Sequence, residues 1–184
     1  MQVTFAPQLH HSRDGRCCGN FPLVLMHSKD RKKLNPDFLD ILADFSSEKV
    51  EYLVVGGWAL AFHGYVRATG DIDLWIRISR ANAEKVWRAL KRFGAPLFDL
   101  TLEDLLRPGM VYQMGVPPNR IDILNEITGV EFDVAWESKT FIQVDELSIP
   151  LIAKPLLIKN KRETDRPKDR SDVIWLESND GDAS

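Results

Sequence analysis

Residues 52–78 read YLVVGGWALAFHGYVRATGDIDLWIRI, and this stretch decides the fold of the 184-residue chain. Its first four residues are apolar and include two β-branched valines, which predicts a buried strand. The pair Gly56-Gly57 ends that strand, because glycine permits turns and a close backbone approach that side chains prevent. A short helix over residues 58–63 is expected next, and a second strand begins at Asp71.

This second strand carries two aspartates on one face. Residues 71–76, DIDLWI, alternate between polar and apolar, and side chains two apart in a strand point to the same side. Asp71 and Asp73 are therefore expected side by side, while Ile72 and Leu74 face the core. Two neighbouring carboxylates repel each other unless a cation lies between them, and the hard ion Mg²⁺ prefers oxygen ligands. The alternation thus predicts a cation site where the strand begins.

The order of these features resembles the nucleotidyltransferase superfamily typified by DNA polymerase β. Its signature is a glycine pair opening a helix, Asp-x-Asp on the next strand and a third carboxylate on a neighbouring strand. Gly56-Gly57 and Asp71-x-Asp73 match, with thirteen residues between them. GGWALAFHGYVRATGDIDL is most similar to the minimal nucleotidyltransferases of toxin–antitoxin and abortive-infection systems. The resemblance covers roughly residues 35–178. It implies an α+β fold with a short, mixed, twisted sheet, flanking helices and a C-terminal helical pair that closes the cleft.

The resemblance also implies a third carboxylate, and the sequence offers two candidates for it. Asp122 lies between two isoleucines in a predicted strand over residues 120–124 and follows soonest after the Asp-x-Asp pair. Asp133 has similar flanks in VEFDVAW, residues 130–136. The order of the motifs favours Asp122, and Asp133 is the alternative.

The activity implied by the resemblance is transfer of a nucleoside monophosphate from an NTP to an acceptor, with release of pyrophosphate. Asp71, Asp73 and Asp122 would be catalytic and would hold two Mg²⁺ ions, with Mn²⁺ as the alternative metal. Asp122 would also take the acceptor proton. The acceptor would be a macromolecule, either tRNA or a protein, and an antitoxin protein would be a further partner. A catalytically inactive nucleotide- or partner-binding module of the same fold is the alternative function.

Nucleotide-binding residues are expected on both sides of the predicted helix. Gly56 and Gly57 would present backbone N–H groups to the β- and γ-phosphates at the start of that helix. Many members of the superfamily carry Gly-Ser here, and the serine hydroxyl often helps to hold a phosphate, whereas Gly57 provides none. Arg67 and Thr69 precede the aspartates and would orient the nucleotide.

The C-terminal segment, residues 151–177, predicts two helices that are punctuated by Pro155 and Pro167. A basic cluster lies between them, and the superfamily carries a similar pattern in its last helices. Lys161 and Lys168 of this cluster would neutralise phosphate charge. The alternative for both lysines is a place on a solvated helix face.

Further elements are predicted around this centre. Asn35-Pro36 is a typical helix start, Ser79 can cap a helix over residues 80–93, and a strand hairpin is expected over residues 139–152. These elements should supply the layers that bury the central strands.

The composition of the chain limits the number of domains, the kinds of partner and the cellular setting that we expect. The length suits one domain, with 44% hydrophobic and 28% charged residues, as in ordinary soluble proteins. The net charge of −3 argues against bulk attraction to nucleic acid but leaves room for a local basic groove. No apolar run is long enough for a membrane span, and the adjacent Cys17 and Cys18 suit a reducing, cytoplasmic setting. Three segments are expected: a poorly ordered arm over residues 1–34, the nucleotidyltransferase domain over residues 35–178 and a disordered tail over residues 179–184.

Overall fold

The fold was analysed from a computed structural model, which describes residues 35–65 and 69–179 of the chain. The predicted N-terminal arm, Arg67 and all of the predicted tail except Asn179 lie outside the described residues. The elements in the described residues are α1 (Pro36–Ser47), β1 (Tyr52–Val55), α2 (Gly56–Phe62), β2 (Ile72–Ile76), α3 (Arg80–Phe93), a 3-10 turn (Asp104–Leu106), β3 (Val111–Met114), β4 (Ile121–Leu124), α4 (Phe132–Glu137), β5 (Thr140–Val144), β6 (Leu147–Leu151), α5 (Lys154–Thr164) and α6 (Pro167–Ser178).

These strands form one mixed sheet in the order β3-β4-β2-β1-β6-β5. The two central pairings differ in direction: β1 runs antiparallel to β2, and β2 runs parallel to β4. The outer strands β3 and β5 each pair antiparallel with their neighbours. The predicted α+β class, with a short mixed sheet, flanking helices and a C-terminal helical pair, is confirmed.

The core lies where the apolar residues of the central strands meet helices. Ile72, Leu74 and Ile76 of β2 are fully buried, and the apolar faces of α1 and α3 are buried as well. The residues that alternate with these three face the other side of the sheet. The first two of them, Asp71 and Asp73, line a cavity. One strand therefore serves the core with one face and a polar site with the other.

The first helix of the central stretch starts earlier than predicted. α2 begins at Gly56 rather than at Trp58, so the glycine pair forms its first two residues. Gly56 has a φ of 64°, a left-handed conformation that only glycine adopts readily, and this lets the strand pass directly into the helix. At the other end, His63 caps the helix, and its Nε2 lies 2.8 Å from the carbonyl oxygen of Ile152.

Asn82 connects the far ends of the two central strands. Its buried side chain accepts a hydrogen bond from the backbone N–H of Glu51 at 2.8 Å. It also donates to the carbonyl oxygens of Glu51 and Arg77 at 3.0 and 3.1 Å. Because it satisfies backbone groups beside both strands, Asn82 fixes α3 against the sheet.

The C-terminal helices α5 and α6 pack against each other, with proline near the start of each as predicted. The turn between them contains Asp165, which has a φ of 48° and accepts two hydrogen bonds from Arg170 at 2.7 and 2.8 Å. None of the helices in the described ranges has the length and apolar character to cross a membrane.

Candidate active site

Two neighbouring parallel strands bring the predicted carboxylates together. Asp73 on β2 is directly opposite Asp122 on β4 in the register of the sheet, and Asp71 immediately precedes β2. All three side chains line one cavity of about 350 Å³. Three acidic residues that are distant along the chain thus share a single small volume, which their mutual repulsion disfavours unless cations offset it.

Several segments of the chain line the cavity besides the three carboxylates. The rest of its lining consists of Gly56, Gly57, Thr69, Gly70, Arg120, Lys161, Arg166, Lys168 and Asp169. The glycine pair and the loop before β2 form one side, and the turn between α5 and α6 forms another. Five of the six predicted nucleotide-binding residues therefore line the cavity, and the sixth, Arg67, is not described.

Asp73 carries the clearest electrostatic signature of the site. Its pKa is raised from 3.8 to about 7, chiefly by burial and in addition by the nearby charges of Asp122 and Asp71. The cationic side chains of Arg120 and Lys168 act in the opposite direction. The Asp73 carboxylate thus lacks the compensating charge that a buried anion needs.

Arg120 provides the positive charge that the other two carboxylates share. Its guanidinium donates to both oxygens of Asp122, at 2.7 and 2.8 Å, and to Oδ2 of Asp71 at 2.7 Å. Gln113 donates a further hydrogen bond to Oδ2 of Asp122 at 3.1 Å. The hydrogen bond with Asp122 raises the pKa of Arg120. Asp122 is consequently held in one orientation by two side chains.

The carboxylates of Asp71 and Asp73 are suited to bind a divalent cation. Oδ1 of Asp71 is buried and has no hydrogen-bond partner among the described residues, and Asp73 is poorly compensated. Both offer the oxygen ligands that Mg²⁺ and Mn²⁺ prefer. In the described ranges, however, no three His, Cys, Asp or Glu side chains are arranged to hold a metal ion. Asp122 can join a metal site only if Arg120 releases it.

Glycine is required at two places where backbones meet beside the carboxylates. A side chain at Gly56 would overlap the carboxylate of Asp73, and its backbone is left-handed in addition. A Cβ at Gly70 would lie 2.7 Å from the Cα of Pro118. Gly56 thus lets the chain pass within contact distance of Asp73, and Gly70 lets it pass within contact distance of Pro118.

Lys161 has a different environment from the one that a phosphate-binding residue needs. Its side chain is 5% exposed, and its Nζ lies 2.9 Å from Asp169 and 2.8 Å from Asp172, both on α6. Arg166 also donates to Asp169 at 2.6 Å. Burial acts to raise the pKa of Asp169, but the hydrogen bonds from Lys161 and Arg166 outweigh it and lower that pKa. The lysine therefore joins α5 to α6 at the wall of the cavity.

Lys168 is the cation that remains available at this side of the cavity. It is exposed on α6, and no ion pair or hydrogen bond engages it within the part of the chain that the structure describes. Its charge acts on Asp73. This places Lys168, rather than Lys161, where it can meet an incoming anion.

Asp133, the alternative third carboxylate, lies in another part of the molecule. It belongs to α4, its side chain is 75% exposed, and it forms an ion pair with Arg77 beyond the far end of β2. There it lines a separate depression of about 740 Å³, which shares no residue with the carboxylate cavity. The structure thus groups Asp122, and not Asp133, with the Asp-x-Asp pair.

Several residues of the cavity were not among the sequence predictions. Arg120 had a detectable signal, because residues two apart in a strand share a face and Arg120 precedes Asp122 by two. Gln113 had none, since its position depends on the antiparallel register of β3 with β4. Arg166 and Asp169 line the cavity only because of the way in which α5 and α6 turn.

We expect Asp73→Asn to stabilise the metal-free protein at neutral pH. The raised pKa means that the folded state holds the Asp73 proton more tightly than the unfolded chain does. The stability from this group is therefore complete below about pH 4 and is lost as the pH rises to about 7. In a chelator at pH 8, Asp73→Asn should raise the free energy of unfolding by an amount on the order of 3 kcal/mol, and the gain should vanish near pH 4.

Urea unfolding at both pH values measures this difference. Asp122→Asn is the matched control, and it should lower stability at pH 8 because Arg120 and Gln113 lose their charged acceptor. A less stable Asp73→Asn protein at pH 8 would contradict the account of Asp73.

A second prediction separates the two lysines of the cavity. Lys161→Met should cost about 3 kcal/mol of stability, because it removes the ammonium group that the buried carboxylates of Asp169 and Asp172 share. Lys168→Met should change stability by less than about 0.5 kcal/mol, since its side chain is exposed. Chemical denaturation of both variants tests this, and equal stabilities would show that Lys161 does not anchor the helices.

Comparison with known proteins identifies the architecture. No family model and no curated protein sequence matches the chain. A crystal structure from Thermotoga maritima, provisionally assigned as a nucleotidyltransferase, superimposes with a TM-score of 0.52 at 14% identity, over 82% of this chain and 99% of that one. A lincomycin-bound lincosamide antibiotic adenylyltransferase superimposes with a TM-score of 0.49 at 17% identity, over 77% of this chain and 95% of the other. The first comparison, together with the sheet and helices described above, shows that the chain has a nucleotidyltransferase-type fold.

Proposed function

We propose that this protein transfers a nucleoside monophosphate from an NTP to an acceptor in a reaction that depends on Mg²⁺. The observation that carries the proposal is the meeting of Asp71, Asp73 and Asp122 in one cavity, with a buried oxygen of Asp71 that has no hydrogen-bond partner among the described residues. The incompletely compensated carboxylate of Asp73, beside a close approach of the glycine backbone, suits metal-bound triphosphate better than any uncharged ligand. The nucleotidyltransferase-type fold agrees with this chemistry.

In the proposed reaction, an acceptor oxygen attacks the α-phosphorus of the NTP. A bond forms between these two atoms, and the bond from the α-phosphorus to the bridging oxygen of the β-phosphate breaks. Pyrophosphate leaves with the electron pair of that bond, and the acceptor proton passes to Asp122. Bound Mg²⁺ would neutralise charge on the phosphates and stabilise the leaving group.

The residues of the chain would prepare this reaction by position and charge. Asp71 and Asp73 would hold the metal, for which their unpartnered and poorly compensated oxygens are suited. Gly56 and Gly57 line the cavity without side chains, so that their backbone can approach the triphosphate. Lys168 would offset phosphate charge from the opposite side. Asp122 would act after its guanidinium partner moves away, since Arg120 now engages both of its carboxylate oxygens.

The finer assignment of the acceptor rests on sequence resemblance. The stretch over residues 56–74 is similar to the minimal nucleotidyltransferases of toxin–antitoxin systems, which supports a macromolecular acceptor, either tRNA or a protein. On this basis the protein would act as a toxin that an antitoxin protein restrains. Expression of the chain with and without its genomic neighbours tests that assignment separately from the chemistry.

One observation favours a second candidate function, a catalytically inactive nucleotide-binding module. The guanidinium of Arg120 already joins Asp71 to Asp122, so that the described residues contain no ready-made group of three metal-binding side chains. If Arg120 stays in place when nucleotide binds, the chain would bind an NTP without releasing pyrophosphate. Calorimetric nucleotide binding without any release of pyrophosphate would select this alternative.

The activity is tested by label transfer. The full chain is incubated with cell extract, Mg²⁺ and NTPs labelled at the α-phosphate, and labelled macromolecules are resolved. The combined change Asp71→Ala and Asp73→Ala should reduce transfer at least about 100-fold, because it removes two of the three proposed metal ligands. Asp122→Ala should have a similar effect.

Asp133→Ala is the matched control for this assay. It removes an exposed aspartate outside the cavity, so transfer should stay close to the wild-type level. Undiminished transfer by the double variant would overturn the proposed function, and loss of transfer in Asp133→Ala would overturn the choice of the third carboxylate.

A further inference from the structure

Gly57 and Thr69 lie so close together that the space between them has room for only one side chain. Both residues line the carboxylate cavity on the same side: Gly57 lies in the first turn of α2 and Thr69 in the loop before β2. A Cβ at position 57 would overlap the Thr69 hydroxyl oxygen and would lie 3.0 Å from Thr69 Cβ. A side chain at position 57 and the present side chain at position 69 therefore exclude each other.

Sterics alone explain the absence of a side chain at position 57. Gly57 is not among the glycines with positive φ, so its backbone conformation would accept any residue. This separates it from Gly56, where the left-handed backbone and the carboxylate of Asp73 both require glycine. What Gly57 provides is room for the Thr69 hydroxyl.

That hydroxyl is weakly engaged for a polar group in a cavity. Among the described residues its hydrogen bond is to the carbonyl oxygen of Asp71, at a distance of 3.4 Å, which is long for an O–H donor. A hydroxyl can donate one hydrogen bond and can rotate to find its acceptor. Thr69 therefore offers a donor to a ligand at low cost to the protein.

The charges of the cavity limit what that ligand is. Four carboxylates and four cationic side chains line it, so an anion can bind only where donors or cations, and not the carboxylates, face it. A hydroxyl donates a hydrogen bond and leaves the carboxylates ionised and free to bind a metal. A further cationic side chain in that place would pair with the carboxylates instead. A phosphate oxygen of the triphosphate fits this description, because it would lie beside the carboxylates that bind the metal and would need hydrogen-bond donors there.

We propose that the Thr69 hydroxyl donates a hydrogen bond to a phosphate oxygen of the bound nucleotide, from the space that a side chain at position 57 would fill. The inference deepens the proposed function and rests on it. It assigns the glycine pair two separate roles, with Gly56 making way for Asp73 and Gly57 making way for Thr69. The hydroxyl that Gly57 lacks is thus supplied from the facing loop.

Two substitutions of Thr69 test the role of the hydroxyl. Thr69→Ser keeps the hydroxyl, and Thr69→Val keeps the shape without it. Binding of inorganic triphosphate with Mg²⁺ to the full chain is measured by calorimetry, which avoids dependence on the base. Thr69→Ser should bind within about threefold of the wild type, whereas Thr69→Val should bind about tenfold or more weakly. Equal binding by Thr69→Val and wild type would overturn the proposal.

Exchange of the two positions gives a second, independent test. Gly57→Ser alone should weaken binding, because its side chain collides with Thr69. Combined with Thr69→Gly, the same change should bind about fivefold or more tightly than Thr69→Gly alone, since loss of the Thr69 Cβ makes room for the new side chain and its hydroxyl restores the donor. Thermal melts of each variant confirm folding, and simple additivity of the two losses would count against the shared space.

The outcomes also separate this inference from the proposed function. If the wild-type protein binds neither triphosphate nor NTP in the presence of Mg²⁺, the proposed function itself fails. If the wild type binds triphosphate and Thr69→Val binds it equally well, the function stands and only the assignment of Thr69 fails.

Discussion

Repulsion among three carboxylates is the constraint on which the arrangement of this protein depends. The parallel pairing of β2 with β4 fixes Asp73 opposite Asp122, and the pleat of β2 adds Asp71 on the same face. The sheet cannot separate these charges without shifting its register, which would expose the buried isoleucines and leucine that alternate with them. The apolar core therefore holds the three carboxylates together. Arg120 offsets the repulsion at Asp71 and Asp122, whereas the repulsion at Asp73 is offset only in part.

The surroundings of the carboxylates follow from the same constraint. Glycine at positions 56 and 70 lets backbone lie directly against the acidic face, where side chains would collide with Asp73 or Pro118. On the other side, the buried ion pairs of Lys161 with α6 fix the turn that presents Lys168. Removal of one partner from such a buried network is far more costly than its net contribution suggests. The cavity is thus rigid on the helical side, and Arg120 is the group with charged contacts that a ligand can replace.

Much of the architecture could be predicted from the sequence, because it depends on patterns of residues that are close together in the chain. The alternation in β2, the proline-opened helices and the cap at Ser79 all depend on neighbouring residues, and each element is present. Motif order favoured Asp122 over Asp133, and only Asp122 lines the cavity with the Asp-x-Asp pair. The catalytic and metal-binding roles of these residues stay predictions. The partners of Lys161 and the contact of Thr69 with Gly57 could not be predicted, because they depend on how distant segments pack and not on spacing along the chain.

The central claim is that a divalent cation replaces Arg120 as the charge that the carboxylates share. Anomalous scattering from Mn²⁺, in crystals of the full chain grown with Mn²⁺ and a non-hydrolysable NTP analogue, tests it most directly. The account predicts a Mn²⁺ peak bound by Asp71 and Asp73, with the Arg120 guanidinium moved off Asp71. Bound nucleotide without a Mn²⁺ peak, and with Arg120 still joining Asp71 to Asp122, would contradict it.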